Sequence, residues 1–320
     1  RLATDQEVLG SNPSRRTKTM AILSKKINRI IFISFFIKII FVIFFHEKYL
    51  GDEWGILFQN FQNFKSYSFY VFGNQDIPSS YMPPLYFIFI YINKILSFDK
   101  VNFLYLIYLN QILISSLTVY LFYKLCSNFL NERFSLIGAA IFSVFPLIVY
   151  SNGLISSACI QLFFYLFFLN LFLKIFTNDL NGKNLFFLAI TSALTLLLRG
   201  EFLIIFLFSL VYLTISNNKK FFQAITIFTI TLLLVSPYLI RNYINTGNFH
   251  LVNVTGYALW KGNNQLSEVE GFHDPLHPNN REDWPKNKEF FGLYEKLDNI
   301  SKDKNYEINR DNIFKEEAIN

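Results

Sequence analysis

Apolar residues run together along this chain instead of alternating with charge. The runs are Ile27–Phe45, Pro83–Phe98, Val101–Leu125, Phe134–Tyr150, Leu154–Phe176, Asn184–Leu198, Phe202–Ile215 and Phe221–Ile240. A helix rises about 1.5 Å per residue, so about 20 apolar residues cross the hydrocarbon layer of a bilayer. The pattern predicts an all-α fold, a polytopic bundle of transmembrane helices.

Pro83–Phe98 is short for a span and carries Asn93 and Lys94. Charge decides whether it crosses. If it does not, Lys25, Lys26, Arg29, Lys124, Arg133, Lys174, Lys183, Lys219 and Lys220 share one side. The positive-inside rule makes that side the cytoplasm. If it does cross, the later basic clusters land outside and the basic N-terminus is left alone inside. The first choice predicts about seven spans with the N-terminus in the cytoplasm. Pro83–Phe98 then becomes a re-entrant or interfacial helix on the outer face. The loop 46–82, the connection Ser151–Gly153, the turn Arg199–Glu201 and the segment 241–320 share that face.

In the first outer loop, Trp54, Leu57, Phe58, Phe61 and Phe64 recur at helical spacing, with Gln59, Asn60, Gln62 and Asn63 between them. This predicts an amphipathic helix lying in the membrane interface. Asp52 stands at its N-terminus, where the helix dipole stabilises a carboxylate. It reads equally as an N-cap or as a catalytic residue. Arg199 and Glu201 interrupt the apolar series TLLLRGEFLIIF and read singly as a turn with snorkelling charges. Arg241 read singly is an interface anchor. Together, a carboxylate and two arginines on one face point to a site for an anionic, lipid-linked ligand. Guanidinium grips phosphate bidentately and stays charged at any working pH.

Composition sharpens the class. Hydrophobic residues make up 52% of the chain and charged ones 16%, against about a quarter charged in soluble domains. The 39 Phe residues accompany much Ile, Asn, Lys and Tyr, a compositional bias that assigns no function to single phenylalanines. The net charge of +6 reflects basic cytoplasmic loops and not nucleic-acid binding. Cys126 and Cys159 fall in apolar runs and read as buried thiols. Residues 1–19 are polar, and GSNPSRRTK within them resembles a translated transfer-RNA gene. They are set apart as a spurious extension, with Met20 the expected start. The expected organisation is a membrane domain over 20–240, then an outer-face segment over 241–320 that opens a larger C-terminal part.

Five motifs then appear in order: GDEW (Gly51–Trp54), PPLY (Pro83–Tyr86), LLLRGE (Leu196–Glu201), SPYLIRNY (Ser236–Tyr243) and GYALWKGNN (Gly256–Asn264). This order resembles the GT-C superfamily of polyprenyl-phosphate-sugar-dependent glycosyltransferases. The nearest type is bacterial members related to protein O-mannosyltransferases and the lipid A aminoarabinose transferase, the family 39 type. The resemblance implies that Asp52 is the catalytic base, with Glu53 its neighbour. It implies that Tyr86, Arg199 and Arg241 lie near the donor phosphate. It further implies that Pro83, Pro84, Glu201, Asn242, Tyr243, Trp260, Gly262 and Asn263 line the cleft or a loop that closes on it. Adjacent helical residues point about 100° apart, so Asp52 and Glu53 do not both face one substrate.

Two positions depart from the pattern: Met82 stands where aminoarabinose transferases carry Lys, and Ser157 where many relatives have Glu. The implied partners are membrane lipid, a polyprenyl-phosphate-sugar donor and a glycan, lipid or protein acceptor. The implied location is a bacterial inner membrane with an outward-facing site. No metal is required, although paired carboxylates suit Mg²⁺ or Mn²⁺. The resemblance also implies further spans beyond Asn320. The competing expectations are a transporter or flippase for lipid-linked sugars, and an inactive membrane fragment.

Overall fold

The computed structural model describes residues 13–68, 78–98, 100–177, 181–216, 220–263, 291–300 and 305–319. The side chains of 13–24, Asp52, Glu53, Ser216, Phe291 and Tyr294 lie outside the description. Every element among the described residues is helical. The first six are α1 (Pro13–Phe44), α2 (Asp52–Phe64), α3 (Pro84–Leu96), α4 (Phe103–Cys126), α5 (Glu132–Val144) and α6 (Pro146–Tyr150). Then come α7 (Ala158–Phe176), α8 (Gly182–Leu198), α9 (Phe202–Ser216) and α10 (Phe221–Thr246). The last three are α11 (Thr255–Asn263), α12 (Phe291–Asn299) and α13 (Tyr306–Ile319).

Four of these helices are long and apolar enough to cross a membrane: Lys25–Phe44 of α1, α4, α7 and α10. Three shorter apolar helices accompany them, α3, α8 and α9. Large apolar side chains such as Phe32, Ile204, Phe208 and Leu233 stand exposed along them. That is the surface of a chain embedded in lipid, where apolar exposure carries no hydration cost.

Two apolar runs divide or end elsewhere than expected. The run Phe134–Tyr150 is not one helix. Pro146 pushes Phe145 to an extended conformation (φ −59°, ψ 126°) and divides the run into α5 and α6. The run ending at Ile240 continues through Pro237 to Thr246, so Arg241 is a helical residue. Gly247 stops α10 in the left-handed region (φ 78°), its N–H bonded to the Tyr243 carbonyl. Helix α1 likewise takes in Pro13–Thr19, which composition sets apart.

The chain divides into two units, Arg1–His46 with Leu106–Asn170, and Glu47–Tyr105 with Leu171–Asn320. In the first, α1 packs on α5 and α6. Its interior is polar in places. Lys38 is fully buried and donates to the Ser115 carbonyl at 3.0 Å, and Ser34 donates to the Ser143 carbonyl at 3.3 Å. Gly153 lets the chain pass so close to the Phe45 carbonyl that a Cβ there would collide with it.

In the second unit, α8 packs against α10, and α3 packs on α8. Lys220 is buried and donates to the last carbonyls of α7, those of Ile175 (3.1 Å) and Phe176, as a cation at a helix C-terminus. It thereby ties the end of α7 to the start of α10. Helices α11, α12 and α13 close a small core of their own from Trp260, Leu293, Leu297, Tyr306 and Phe314.

Candidate functional site

An irregular backbone needs a partner for each buried N–H and C=O. The strap 79–82, between the segment at Tyr67 and α3, finds these partners in side chains and in the backbone of other segments, the Ser79 N–H donating to the Tyr67 carbonyl at 2.8 Å. The Ser79 carbonyl accepts from Arg241 Nη1 at 2.6 Å, and the Ser80 carbonyl accepts from the Asn253 N–H at 3.1 Å. The Met82 carbonyl accepts from the hydroxyls of Tyr67 (2.9 Å) and Tyr238 (3.2 Å). The Ser80 N–H donates to Glu307 Oε2 at 2.8 Å, and Ser79 Oγ donates to Glu307 Oε1. The strap leads directly into Pro83–Tyr86.

The charged groups around the strap are placed by helices. Arg241, on the last turns of α10, uses its fork three times: on Ser79, on Asn242 Oδ1 (2.8 Å) and on the Tyr67 carbonyl (3.0 Å). Its guanidinium also lies over the rings of Tyr67 (5.5 Å) and Tyr238 (5.9 Å). Asn242, fully buried, passes the link on by donating to the His250 carbonyl at 2.8 Å.

Ser80 Oγ has one proton and two neighbours, His250 Nε2 at 2.6 Å and Glu307 Oε2 at 3.0 Å. When the hydroxyl donates to a Glu307 carboxylate, His250 must present its Nε2–H to the hydroxyl oxygen. Burial raises the Glu307 carboxyl above its usual range and lowers the His250 imidazole, which favours the neutral ring. Burial also holds the Tyr67 phenol well above its usual value, which keeps its hydroxyl a donor.

The predicted residues fall in several settings. Asp52 and Glu53 open α2, and their side chains lie outside the described residues. Gly51 occupies the cap position, so Asp52 is the first helical residue and not the N-cap. Along α2, Leu57 and Phe58 are buried while Gln59, Gln62 and Asn63 are exposed. The amphipathic pattern is therefore present. Asn60 departs from it by turning inward to the Ser68 carbonyl (2.8 Å). Tyr86 is fully buried, its ring 4.8 Å from Trp54 edge to face. Pro83, Pro84 and Arg199 are half-buried, and Glu201 is exposed in the turn between α8 and α9.

Trp260 is 2% exposed and belongs to the α11–α13 core, its ring 5.0 Å from Phe314. Tyr243 is exposed and stacks on Phe249 at 4.4 Å. Gly262 and Asn263 end α11 on the surface. Met82, one of the two departures, is half-buried within the strap, and Ser157 is buried in the other unit. No group of three His, Cys, Asp or Glu able to hold a metal occurs among the described residues.

Sequence reasoning missed Glu307, His250, Ser79, Ser80, Tyr67 and Tyr238. Their local signals are the place of Tyr238 within SPYLIRNY and the helical spacing of Glu307, Arg310, Asp311 and Phe314, which share a face of α13. Comparisons with protein-family models, with curated proteins and with solved structures find no match.

Proposed function

We propose that this chain is an inverting glycosyltransferase of the membrane, moving a sugar from a polyprenyl-phosphate donor to an outer-face acceptor. One observation supports this reading. The five motif segments of the sequence resemblance all lie in one unit; a contact joins two of them directly, and two others touch the residues just ahead of a motif. Trp54 of GDEW meets Tyr86 of PPLY. Tyr238 and Arg241 of SPYLIRNY bind the strap ahead of PPLY. Gly200 of LLLRGE lies against Val252, just ahead of GYALWKGNN, where a Cβ would stand 3.0 Å from Val252 Cγ2.

In this reading the acceptor hydroxyl attacks the anomeric carbon and gives its proton to Asp52. The bond from that carbon to the phosphate oxygen breaks, and the electron pair leaves with the lipid phosphate. A phosphate leaves as an anion and needs cationic support more than a proton, the part assigned to Arg199. Arg241, committed to carbonyls, holds the strap and adds its positive field. One base and one displacement give inversion. The reading includes about seven spans with basic loops inside, the site outside a bacterial inner membrane, and α2 and α3 at the outer interface. No metal is required.

The test is transfer by membranes supplied with a lipid-linked sugar extract. Asp52→Asn is expected to lower the rate by about a thousandfold or more, and full activity of that variant would end the base assignment. A second reading, a transporter of lipid-linked sugars, draws on Lys38, an ionisable group fully buried within a span. Donor-dependent transfer by the purified protein separates the two.

A further inference from the structure

We infer that Glu307 is a positioning residue for the proposed site: carried by α13, it sets the Ser79–Met82 strap from which the Pro83–Tyr86 motif hangs. The inference rests on the reading of that motif as part of the site.

Three observations carry it. The Glu307 carboxylate takes three hydrogen bonds from two consecutive strap residues, the Ser79 hydroxyl, the Ser80 N–H and the Ser80 hydroxyl. Its neighbours on the same helical face engage the same region. Arg310 lies over the ring of strap residue Tyr81 at 5.6 Å and over Tyr257 at 4.8 Å. Asp311 Oδ1 accepts from the N–H groups of Gly256 (2.7 Å) and Tyr257 (3.2 Å) at the start of α11. Below them Phe314 is fully buried beside Trp260. One rigid face of α13 therefore grips the strap and α11 together.

A carboxylate on a helix suits this work. Its two oxygens take bonds from several strap donors at once, and the helix carrying it is fixed by its own core. A purely structural role would anchor α13 without controlling the strap. The two roles differ in what loosens when Glu307 changes.

The experiment uses the full chain in lipid nanodiscs with a cysteine reporter, Met82→Cys in the strap or Asn263→Cys at the far end of α11. A maleimide reports the labelling rate at each position, read by peptide mass so that Cys126 and Cys159 do not contribute. Glu307→Ala is expected to speed labelling at position 82 by about tenfold or more and to leave position 263 unchanged. Glu307→Gln, equal in length and still an acceptor, is expected to restore most of the protection. Glu307→Asp, one methylene shorter, is not. If Glu307→Ala does not accumulate, the Asp and Gln variants carry the same comparison.

No change at position 82, or equal acceleration at both positions, overturns the inference. A second arm titrates a polyprenyl monophosphate into the same nanodiscs, where Glu307→Ala is expected to weaken binding about tenfold. Faster labelling at position 82 with unchanged binding keeps Glu307 as the residue that sets the strap and removes the lipid-phosphate site from the strap's neighbourhood. That outcome fails the functional reading separately.

Discussion

Arg241 shows what a guanidinium does when backbone carbonyls reach it first. Its planar fork spans the Ser79 and Tyr67 carbonyls, on two neighbouring segments of irregular backbone, while the rings of Tyr67 and Tyr238 flank it. A lysine offers a point charge on a flexible stem and cannot bridge both carbonyls in that geometry. Arg241→Lys should destabilise the strap by about 2 kcal/mol, read as a lowered Tm of the purified protein; an unchanged Tm would show that the fork is dispensable.

The His250–Ser80–Glu307 cluster makes two contributions to stability with opposite pH dependence. The His250 pKa is lowered, by burial first, so its stabilising contribution is present above the ordinary imidazole value of 6.5 and is lost as pH falls through the lowered value. The Glu307 pKa is raised, again by burial first. Its contribution is present below the ordinary carboxyl value of 4.5 and is lost as pH rises through the raised value. Between 6.5 and 4.5 the two act in opposite senses. Removing one exposes the other. On acidification across that window, His250→Gln should lose less Tm than the parent and Glu307→Gln should lose more. Identical pH profiles for all three would rule out both contributions. No sequence pattern announces this cluster, because its members are separated by more than 160 residues in one link and more than 220 in the other.

At the level of elements, α11 and α13 approach backbone to backbone at Gly256. A Cβ there would meet the Asp311 main chain, with the carbonyl carbon at 2.9 Å and Lys315 N at 3.0 Å. Backbone cannot swing aside as a side chain can. Gly256→Ala should therefore cost about 3 kcal/mol in the α11–α13 core, measured as a lower Tm or as faster proteolysis of that region. A neutral result would mean that the two helices are free to separate. The motif GYALW was legible in the sequence, but not the reason for its glycine, which lies in a helix far along the chain. Pro146 is the reverse case. Its effect is local and predictable from the restriction on the preceding residue, yet the apolar run around it reads as continuous when hydropathy alone is followed.

At the scale of the whole molecule, lipid replaces water as the solvent for the exposed faces of the long apolar helices. That is why hydropathy finds the helices. It is also why hydropathy does not decide how many cross: four are long enough alone, while α3, α8 and α9 are shorter. Shorter helices cross only where neighbours or local thinning of the bilayer make up the difference. The proposed topology makes a direct prediction. In intact cells an impermeant maleimide should label Asn263→Cys, and should label Lys183→Cys only after permeabilisation. Labelling of both before permeabilisation would overturn the sidedness.

The sequence by itself determined the class of molecule and the places where its apolar helices lie. Long apolar runs and clustered basic loops are local properties, and lipid acts on them residue by residue. It also determined the amphipathic stripe of α2, since helical spacing alone places Trp54, Leu57 and Phe58 on one face. Only the tertiary structure decided what the polar residues do. Arg241 went to carbonyls, Trp260 into a core and Asn60 inward, and Glu307, from a stretch that reads as polar tail, came to hold the strap before α3. The physical reason is that a buried polar group is defined by its partner, and these partners come from segments brought together by folding.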